Sequence, residues 1–515
     1  MKGLSKSRYT TFCQCPKALW LRVYKPELQN VDAALQARFD TGNEVGDLAM
    51  GRFGNYVEVT VRRSDGGLDL TAMIERTKEE MARGTNNICE ASFAKDGNYC
   101  AVDILRRNGD GWDIYEVKSS TSSVGDEVNN PDKFVKYAVD IAYQRWLLEQ
   151  CGMKVTGTYL VTLNRDYVRQ GDLDIHQLFN ILDLKDLVNN EYLKVPAQVK
   201  LAQQVLQQQQ EPTRLIGDYC STPYGCAFWD YCAHQQGLPS DNRPTVFDLY
   251  RLRGAKKMEF FNAGKITFED ISSEKLSDIQ RMQVDCTLND TEYVNASGIK
   301  DFLNGLSYPL YFLDFETMQP PVPLFDNSKP YQQITFQYSL HYIEHEGGEL
   351  KHTAFLAPSD GTDPRRALAE ALCRDIPQNV CVTAYNDPFE KGRIRELAAL
   401  YPDLSAHLMN IHDHIQDLLV PFKRGCYYVP AMGGSFSIKS VLPALFPNDP
   451  SLNYNNLKGP VHNGGDAMTI FPQLAKMTDP QEVQRLRQSL LAYCHLDTLA
   501  MVKVWEKLRE IISNA

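Results

Sequence analysis

The chain has 515 residues, 43% of them hydrophobic and 23% charged, and its 54 Lys and Arg against 65 Asp and Glu give a net charge of −11. That length exceeds a single core and predicts two or three domains, while the ordinary composition excludes a largely disordered chain. The acidity excludes a protein that coats nucleic acid through overall basicity, though not a nuclease with acidic metal ligands, and thirteen scattered cysteines exclude a secreted disulfide scaffold.

Residues 1–35 predict helix, with apolar and aromatic positions at helical spacing in FCQCPKALWLRVY, and a second helix follows around LQARFDTGNEVGDLAMGRF. The opening stretch lacks the apolar core of a signal peptide and the chain has no long apolar run, so a cytoplasmic protein with no membrane partner is expected. From Ile88 the pattern changes to the strand-like runs NICEASFA, NYCAVDILRR and GWDIYEVKSS, separated by Gly and Asn as hairpin turns require. NPDKFVKYAVDIAYQRWLLEQCG predicts an amphipathic helix ended by Gly152, and KVTGTYLVTLNRDYV a strand. VKLAQQVLQQQQEP reads as a polar helix leading into a cysteine-rich stretch. VFDLYRLRGAKKMEFFNAGKITFEDI suggests paired helices joined by a glycine turn. A new strand begins at YPLYFLDFET, and QSLLAYCHLDTLAMVKVWEKLREII closes as an amphipathic helix. A mixed α/β protein follows, with domains at 1–240 and 306–515 and a helical connector at 241–305.

Asp103 lies on one predicted strand, and Glu116 and Lys118 on the next. Residues two apart on a strand share a face, so Glu116 and Lys118 point the same way and the neighbouring strand can bring Asp103 alongside. Such carboxylates hold a divalent cation, and the lysine orients water or meets charge developing on phosphate. A solvated strand face with an incidental ion pair has the same spacing. The pattern D103…E116-V-K118, followed by a helix bearing Tyr143 and Gln144, resembles the PD-(D/E)XK nucleases, in the RecB-like branch that includes the CRISPR-adaptation nucleases. The resemblance implies a restriction-endonuclease-like core, with Mg²⁺ or Mn²⁺ on Glu90, Asp103 and Glu116 and with Lys118 and Gln144 in catalysis. Some members carry a metal-binding histidine in G-x-x-x-H; here GNEVG places Gly46 at that position, with Glu44 or Glu90 to compensate.

The stretch CSTPYGCAFWDYC holds three cysteines, and QCPKALWL supplies a fourth upstream. The same resemblance implies a [4Fe–4S] cluster on Cys15, Cys220, Cys226 and Cys232, a ligand set that four thiolates suit. Zinc is the rival, although its structural sites use closer pairs than the five-residue gaps here. Cys13 matches as well as Cys15 on spacing alone. The remaining cysteines read as small buried hydrophobes.

YFLDFETM puts Asp314 and Glu316 on one face of an apolar strand, a position that metal binding explains better than solubility. VTAYNDPFEKGRI ends a strand at Asn386 and opens a helix at Phe389-Glu390, and LLAYCHLDTLAMV sets Tyr493 and Asp497 one helical turn apart. In this order the three motifs resemble those of the DEDD (DnaQ-like) 3′→5′ exonucleases, implying a ribonuclease H-like α/β fold. They also imply Asp314, Glu316, Glu390 and Asp497 as metal ligands and Tyr493 as the residue positioning water. Glu390 stands where the pattern has aspartate. In MGGSFSIKSVLPALFP, Ser435, Ser437 and Lys439 at a helix start suit a phosphate or ordinary N-capping equally. His412 and His414 read as polar positions near a strand, and HNGGD at 462–466 fits the histidine subclass of this family less well than Tyr493 does.

The two resemblances imply a metal-dependent bifunctional deoxyribonuclease processing DNA ends in repair, CRISPR-linked adaptation or anti-phage defence, with DNA and proteins of such a system as partners. Arg8, Lys17, Arg22, Lys136 and Arg145 are candidates to line a strand-binding groove. The rival readings are a single live site beside a nucleic-acid-binding scaffold, an RNA nuclease, and a non-catalytic adaptor with a structural cluster.

Overall fold

A computed structural model describes residues 3–30, 33–241 and 243–514, with backbone alone for 33–40. The architecture is mixed α/β, in two compact units. Met1–Leu238 and Pro320–Gln332 form the first; Pro239–Gln319 and Gln333–Ala515 form the second, which includes the stretch 241–305. Among the described residues no helix is long and apolar enough to cross a membrane.

The first unit carries a seven-stranded sheet of β1 (Leu4–Ser5), β2 (Val57–Glu58), β3 (Asn87–Lys95), β4 (Asn98–Asn108), β5 (Gly111–Ser122), β6 (Val155–Asn164) and β7 (Phe179–Asp183). The order is β2-β3-β4-β5-β6-β7, with β1 paired to β4. β3, β4 and β5 form an antiparallel meander whose turns use Gly97 and Gly109 at φ 76° and 59°, values that favour glycine. β5 and β6 run parallel, so the chain crosses back through the helix Val135–Gln150.

The single helix expected over 1–35 is instead β1, the helices Lys6–Gln14 and Pro16–Tyr24, and a 3₁₀ turn at Pro26–Leu28. Proline lacks the N–H needed inside a helix but suits its first turn, so Pro16 and Pro26 each start a new segment. Met1, Lys2, Val31 and Asp32 lie outside the described residues. The glutamine-rich segment forms the helix Val195–Gln207, which buries Val199, Ala202, Val205 and Leu206 on one face. Trp20 Nε1 donates to the Gln208 carbonyl at 3.1 Å and the Tyr24 hydroxyl to that of Leu206 at 2.7 Å. The two ends of the unit are therefore joined by polar contacts as well as by packing.

In the second unit, β9 (Leu310–Met318), β10 (Ile334–Ile343), β11 (Lys351–Leu356), β12 (Cys381–Ala384) and β13 (Ile415–Asp417) form a sheet ordered β11-β10-β9-β12-β13. β8 (Tyr293–Val294) and β14 (Tyr427–Tyr428) pair separately. β9, β10 and β11 are antiparallel, whereas β12 and β13 run parallel to β9. One face buries Leu313, Phe315, Leu340 and Val382 against the helices Arg365–Asp375, Pro388–Leu400 and Ser405–Asp413. On the other, Phe336 stacks on Phe471 with centroids 3.9 Å apart, and Phe312 meets Trp505 edge-on at 5.8 Å. Those partners belong to the helices Gly464–Leu474 and Pro480–Asn514.

The helix pair expected around the glycine turn is only half present. Gly254–Asn262 is helical, but beyond Gly264 the carboxylate of Asp270 accepts the N–H groups of Ile266 and Thr267 at 2.9 and 2.8 Å. A side chain that captures those donors replaces the first helical turn with a local one. The next helix begins at Asp278, behind a Ser277–Gln280 capping box.

Gly434 has φ 79°, and a Cβ there would lie 1.6 Å from the carbonyl oxygen of Asp248. Gly434→Ala is expected to cost about 3 kcal/mol or more, lowering the thermal midpoint by roughly 5–10 °C. Gly433→Ala, at φ 59° with open space around the new methyl, costs about 1 kcal/mol by the same measurement.

Candidate functional site

The meander of the first unit sets three carboxylates abreast. Cys89 pairs with Ile104 and Ala91 with Val102, which leaves Glu90 opposite Asp103; β4 pairs with β5 only as far as Ile104 with Tyr115, which leaves Asp103 opposite Glu116. Both ladders lapse at the acids. Glu90 has φ 57°, a left-handed conformation that costs a residue with a Cβ. Asp103 accepts the Val117 N–H at 2.7 Å, taking the place of a strand carbonyl. Further along, β4 pairs with β1 at Asn98 and Tyr99, and β1 delivers Lys6 into the opening.

Lys6 Nζ donates to both carboxylate oxygens of Glu116 at 2.9 Å and stands 3.8 Å from Asp103. Lys118 Nζ lies 2.8 Å from Glu116 and 2.8 Å from Asp140, and Gln144 Nε2 donates to Glu116 at 2.7 Å. Asp140 and Gln144 sit one turn apart on the helix Val135–Gln150 and so share a face. Burial pushes the Glu116 carboxyl up, but Lys118 and Lys6 overcome it and hold the group at about 2. Burial, then the Glu116 charge, raises Asp103 to about 6; burial, then Asp103, raises Glu90 to about 7. Carboxyls raised in this way in one cleft fit a divalent cation, which would offset both the burial and the mutual repulsion.

The same cleft is lined by Gly46 and Asp47 but not by the exposed Glu44. A Cβ at Gly46 would meet nothing within 4 Å among the described residues, at the position where the resemblance has histidine. Tyr143 acts at a distance: its hydroxyl donates to the Leu4 carbonyl at 2.6 Å and its ring stacks on Tyr9 at 4.6 Å, fixing β1. Of the basic groove candidates, Arg8, Lys17, Arg22 and Arg145 bond to protein partners. Lys136 stands over the rings of Tyr137 and the exposed Tyr224 at 4.8 and 4.9 Å.

Cys15, Cys220, Cys226 and Cys232 line one small pocket with Ala18, Leu21 and Phe228, whereas Cys13 is not among its walls and neighbours Tyr9. The trios of ligand atoms lying within 4.8 Å of one another among the described residues do not include these thiols. Zinc would draw four sulfurs to about 3.8 Å apart; a wider setting, in a pocket that Lys17 and Arg214 also line, suits a larger inorganic core. Burial raises Cys220 and Cys226 and pushes Cys232 up to about 11.

The second constellation centres on β9. Asp314 and Glu316 share the face of Phe312, toward the helices Gly464–Leu474 and Pro480–Asn514. Asp497 accepts the Tyr454 hydroxyl at 2.6 Å, and Lys439 Nζ donates to the Tyr493 hydroxyl at 3.1 Å. Glu390 is buried in the first turn of Pro388–Leu400, and its Oε2 has no hydrogen-bond partner among the described residues. Burial raises all four acids. Asp497, Glu316 and Glu390 push Asp314 further, and Asp497 and Glu390 do the same to Glu316. Glu390 is raised to about 8, by burial first and then by Asp387 and Asp417. Buried carboxylates that Lys439 and Arg393 offset only in part, one with an orphaned oxygen among the described residues, fit divalent cations.

The serines of the expected phosphate trio separate from Lys439. The Ser437 N–H donates to Ser435 Oγ at 3.2 Å and Ser437 Oγ lies 3.0 Å from Ser440 Oγ. His412 and His414 bond to Asp413 and Asn410, away from the acids. His462 has a ring nitrogen 3.0 Å from the Tyr454 carbonyl and so positions the tyrosine that bonds Asp497. Lys6, Asp140 and Tyr454 are the residues that sequence reasoning missed. Lys6 and Tyr454 lie far along the chain from the groups they touch, and only Asp140, four residues before Gln144, carried a positional signal.

In metal-free protein, stability is expected to fall as pH rises from about 4.3, where an unfolded glutamate ionises, to about 8, where Glu390 does so in the fold. Across that window the folded state holds the extra protons, so unfolding becomes easier with rising pH. Thermal midpoints in EDTA should show this slope, Glu390→Gln should flatten it, and Mg²⁺ should restore stability at the upper end.

Residues 311–437 match the family described as a domain of unknown function, DUF2779. That stretch holds Asp314, Glu316 and Glu390, while Lys439, Tyr493 and Asp497 follow it. The uncharacterized protein MG366 homolog of Mycoplasma pneumoniae is 25% identical over 217 residues, 39% of this chain and 32% of that protein. The uncharacterized protein MG366 of Mycoplasma genitalium is 24% identical over 233 residues, 42% of this chain and 34% of that protein. The uncharacterized protein UU173 of Ureaplasma parvum is 26% identical over 235 residues, 41% of this chain and 32% of that protein. The chain spans about a third of the length of these curated relatives.

Proposed function

We propose that the chain is a metal-dependent nuclease acting on DNA ends, with one PD-(D/E)XK-like and one DEDD-like site. The observation that carries this reading is the gathering of the half-buried Asp314 and the buried Glu316, Glu390 and Asp497 around one sheet, with no positive group hydrogen-bonded to any of them among the described residues. Acids gathered at that cost in stability are useful where a cation and a phosphate meet. The mixed five-stranded sheet flanked by helices supports a ribonuclease H-like domain, and the meander bearing Asp103, Glu116 and Lys118 supports a restriction-endonuclease-like core.

Mg²⁺ or Mn²⁺ held by Asp314, Glu316, Glu390 and Asp497, or by Glu90, Asp103 and Glu116, would supply Lewis-acid stabilisation of the phosphate oxygens. Tyr493 receives the Lys439 N–H and is itself held far above the usual phenol range, by burial and then by Asp497. Its hydroxyl, held by Lys439, is placed to orient water by hydrogen bonding. Lys118, fixed between Glu116 and Asp140, is positioned to meet charge on a phosphate. The four cysteines would hold a [4Fe–4S] cluster that ties residues near position 15 to those near 226, with no part in cleavage.

Lys6 favours a second reading, in which only the DEDD-like site cleaves. Its ammonium lies against Glu116 and near Asp103, where it can replace a metal and leave the first unit a DNA-binding platform.

DNA labelled separately at each end, with Mg²⁺ or Mn²⁺ and anaerobically isolated protein, distinguishes the readings. Asp314→Ala/Glu316→Ala should abolish 3′-end degradation, by roughly 100-fold or more. Glu116→Ala/Lys118→Ala should remove a separate cleavage pattern if both sites are live and change only DNA affinity if one is. A wild type that cuts neither DNA nor RNA sinks the nuclease reading in favour of an adaptor. The same protein should be brown and carry about four iron atoms per chain, and Cys226→Ser should lower that content; a stoichiometric zinc content instead overturns the cluster.

A further inference from the structure

Three histidines from three separate elements converge in the second unit, next to the acids but with none of them among the three. His341 on β10 stands directly opposite His352 on β11 in the antiparallel register, and His495 comes from the helix Pro480–Asn514. Their ring centroids lie 4.5 Å (His341–His352), 4.8 Å (His341–His495) and 4.5 Å (His352–His495) apart. One ring nitrogen from each falls within 4.8 Å of the other two. His341 is buried, His495 half-buried and His352 exposed, so the cluster opens to solvent on one side.

Two hydroxyls orient the rings. Thr498 Oγ1 lies 2.8 Å from His341 Nδ1 and Ser339 Oγ 2.9 Å from His352 Nε2, with 2.7 Å between the two hydroxyls. Each hydroxyl can accept from the imidazole N–H it touches, and with both rings donating in that way the lone pairs of His341 Nε2 and His352 Nδ1 are left for a metal. Metal-binding histidines are held in this way. Burial, with the neighbouring imidazoles, holds His341 at about 3, so it is neutral at physiological pH.

We propose that His341, His352 and His495 form a zinc site that clamps the helix bearing Tyr493 and Asp497 to β10 and β11. Three imidazoles favour Zn²⁺ over Mg²⁺ or Ca²⁺, which take oxygen ligands. Bonds of about 2.0–2.1 Å set the nitrogens about 3.4 Å apart, a closure that rotation of the exposed His352 ring can provide. The fourth position faces solvent and takes a water. This reading is independent of whether either acid site cleaves DNA, because it concerns where a helix is held.

The test compares full-length wild type with His352→Ala, an exposed substitution on an edge strand. Both are stripped with EDTA, incubated with Zn²⁺, freed of unbound metal and measured for zinc per chain and for thermal midpoint. The variant should hold one zinc fewer and lose most of the zinc-induced rise in midpoint. The cysteines and acids are unaltered, so the difference reports this site alone. With Co²⁺ as probe, the wild-type-minus-variant spectrum should show ligand-field bands without thiolate charge transfer. His495→Asn, which keeps the helix, should repeat the loss. Equal zinc in folded wild type and both variants, or thiolate bands in the difference spectrum, overturns the proposal.

Discussion

An ionised carboxylate taken from water into a protein costs several kcal/mol unless donors or a cation replace its hydration, and the arrangement of each unit follows from how that cost is met. The first unit answers with its own cations. Glu116 receives Lys6, Lys118 and Gln144, and stays ionised although buried. The second unit offers mainly hydroxyls: Tyr454 donates to Asp497, and Lys439 reaches Tyr493 and not a carboxylate. Two sheets with similar numbers of acids therefore differ in kind, one largely neutralised from within and one left charged or protonated.

The same constraint reaches into the backbone. A fully paired meander would bury Asp103 between its neighbours with no donor to spare. The lapse in pairing frees the Val117 N–H for Asp103 and opens the position that β1 brings Lys6 to fill. A two-residue strand would be marginal alone, and Tyr143, bonded to the Leu4 carbonyl and stacked on Tyr9, secures it. In the second unit the turn before Glu390 is held by Asp417, which accepts the N–H of Asn386 at φ 71°. Each unit thus has a left-handed residue at its acids, Glu90 in the first and Asn386 in the second.

What was legible in the sequence is what rests on local periodicity. Glu116 and Lys118 share a face because strands alternate, and Tyr493 and Asp497 do so because helices return after four residues; both relations hold in the structure. The mixed α/β character was legible for the same reason. Lys6 was not, because it meets Glu116 through a pairing 110 residues away in sequence. The histidine trio was hidden likewise: His341 and His352 become neighbours only through the β10–β11 register, and His495 only through helix docking. Capping chemistry misled where a side chain overrode the period, as Asp270 did beyond Gly264. Pro16 and Pro26 marked the breaks in the expected first helix and were readable as such.

The segment Pro320–Gln332, which joins β9 to β10, groups with the first unit although both strands belong to the second. Within the first unit Arg169 donates to the carbonyls of Pro323 and Leu324 at 2.9 and 3.1 Å, and Asp326 accepts the Gly171 N–H at 2.7 Å. The boundary between the units is therefore crossed three times by the chain. A ribosome completes the first unit only after it has made the first strand of the second unit's sheet, so neither can mature wholly before the other begins. For the same reason a gene cut near codon 239 yields a first half that lacks one of its own loops and a second half that carries it as a passenger. Trading one unit between relatives would require moving two pieces of sequence together.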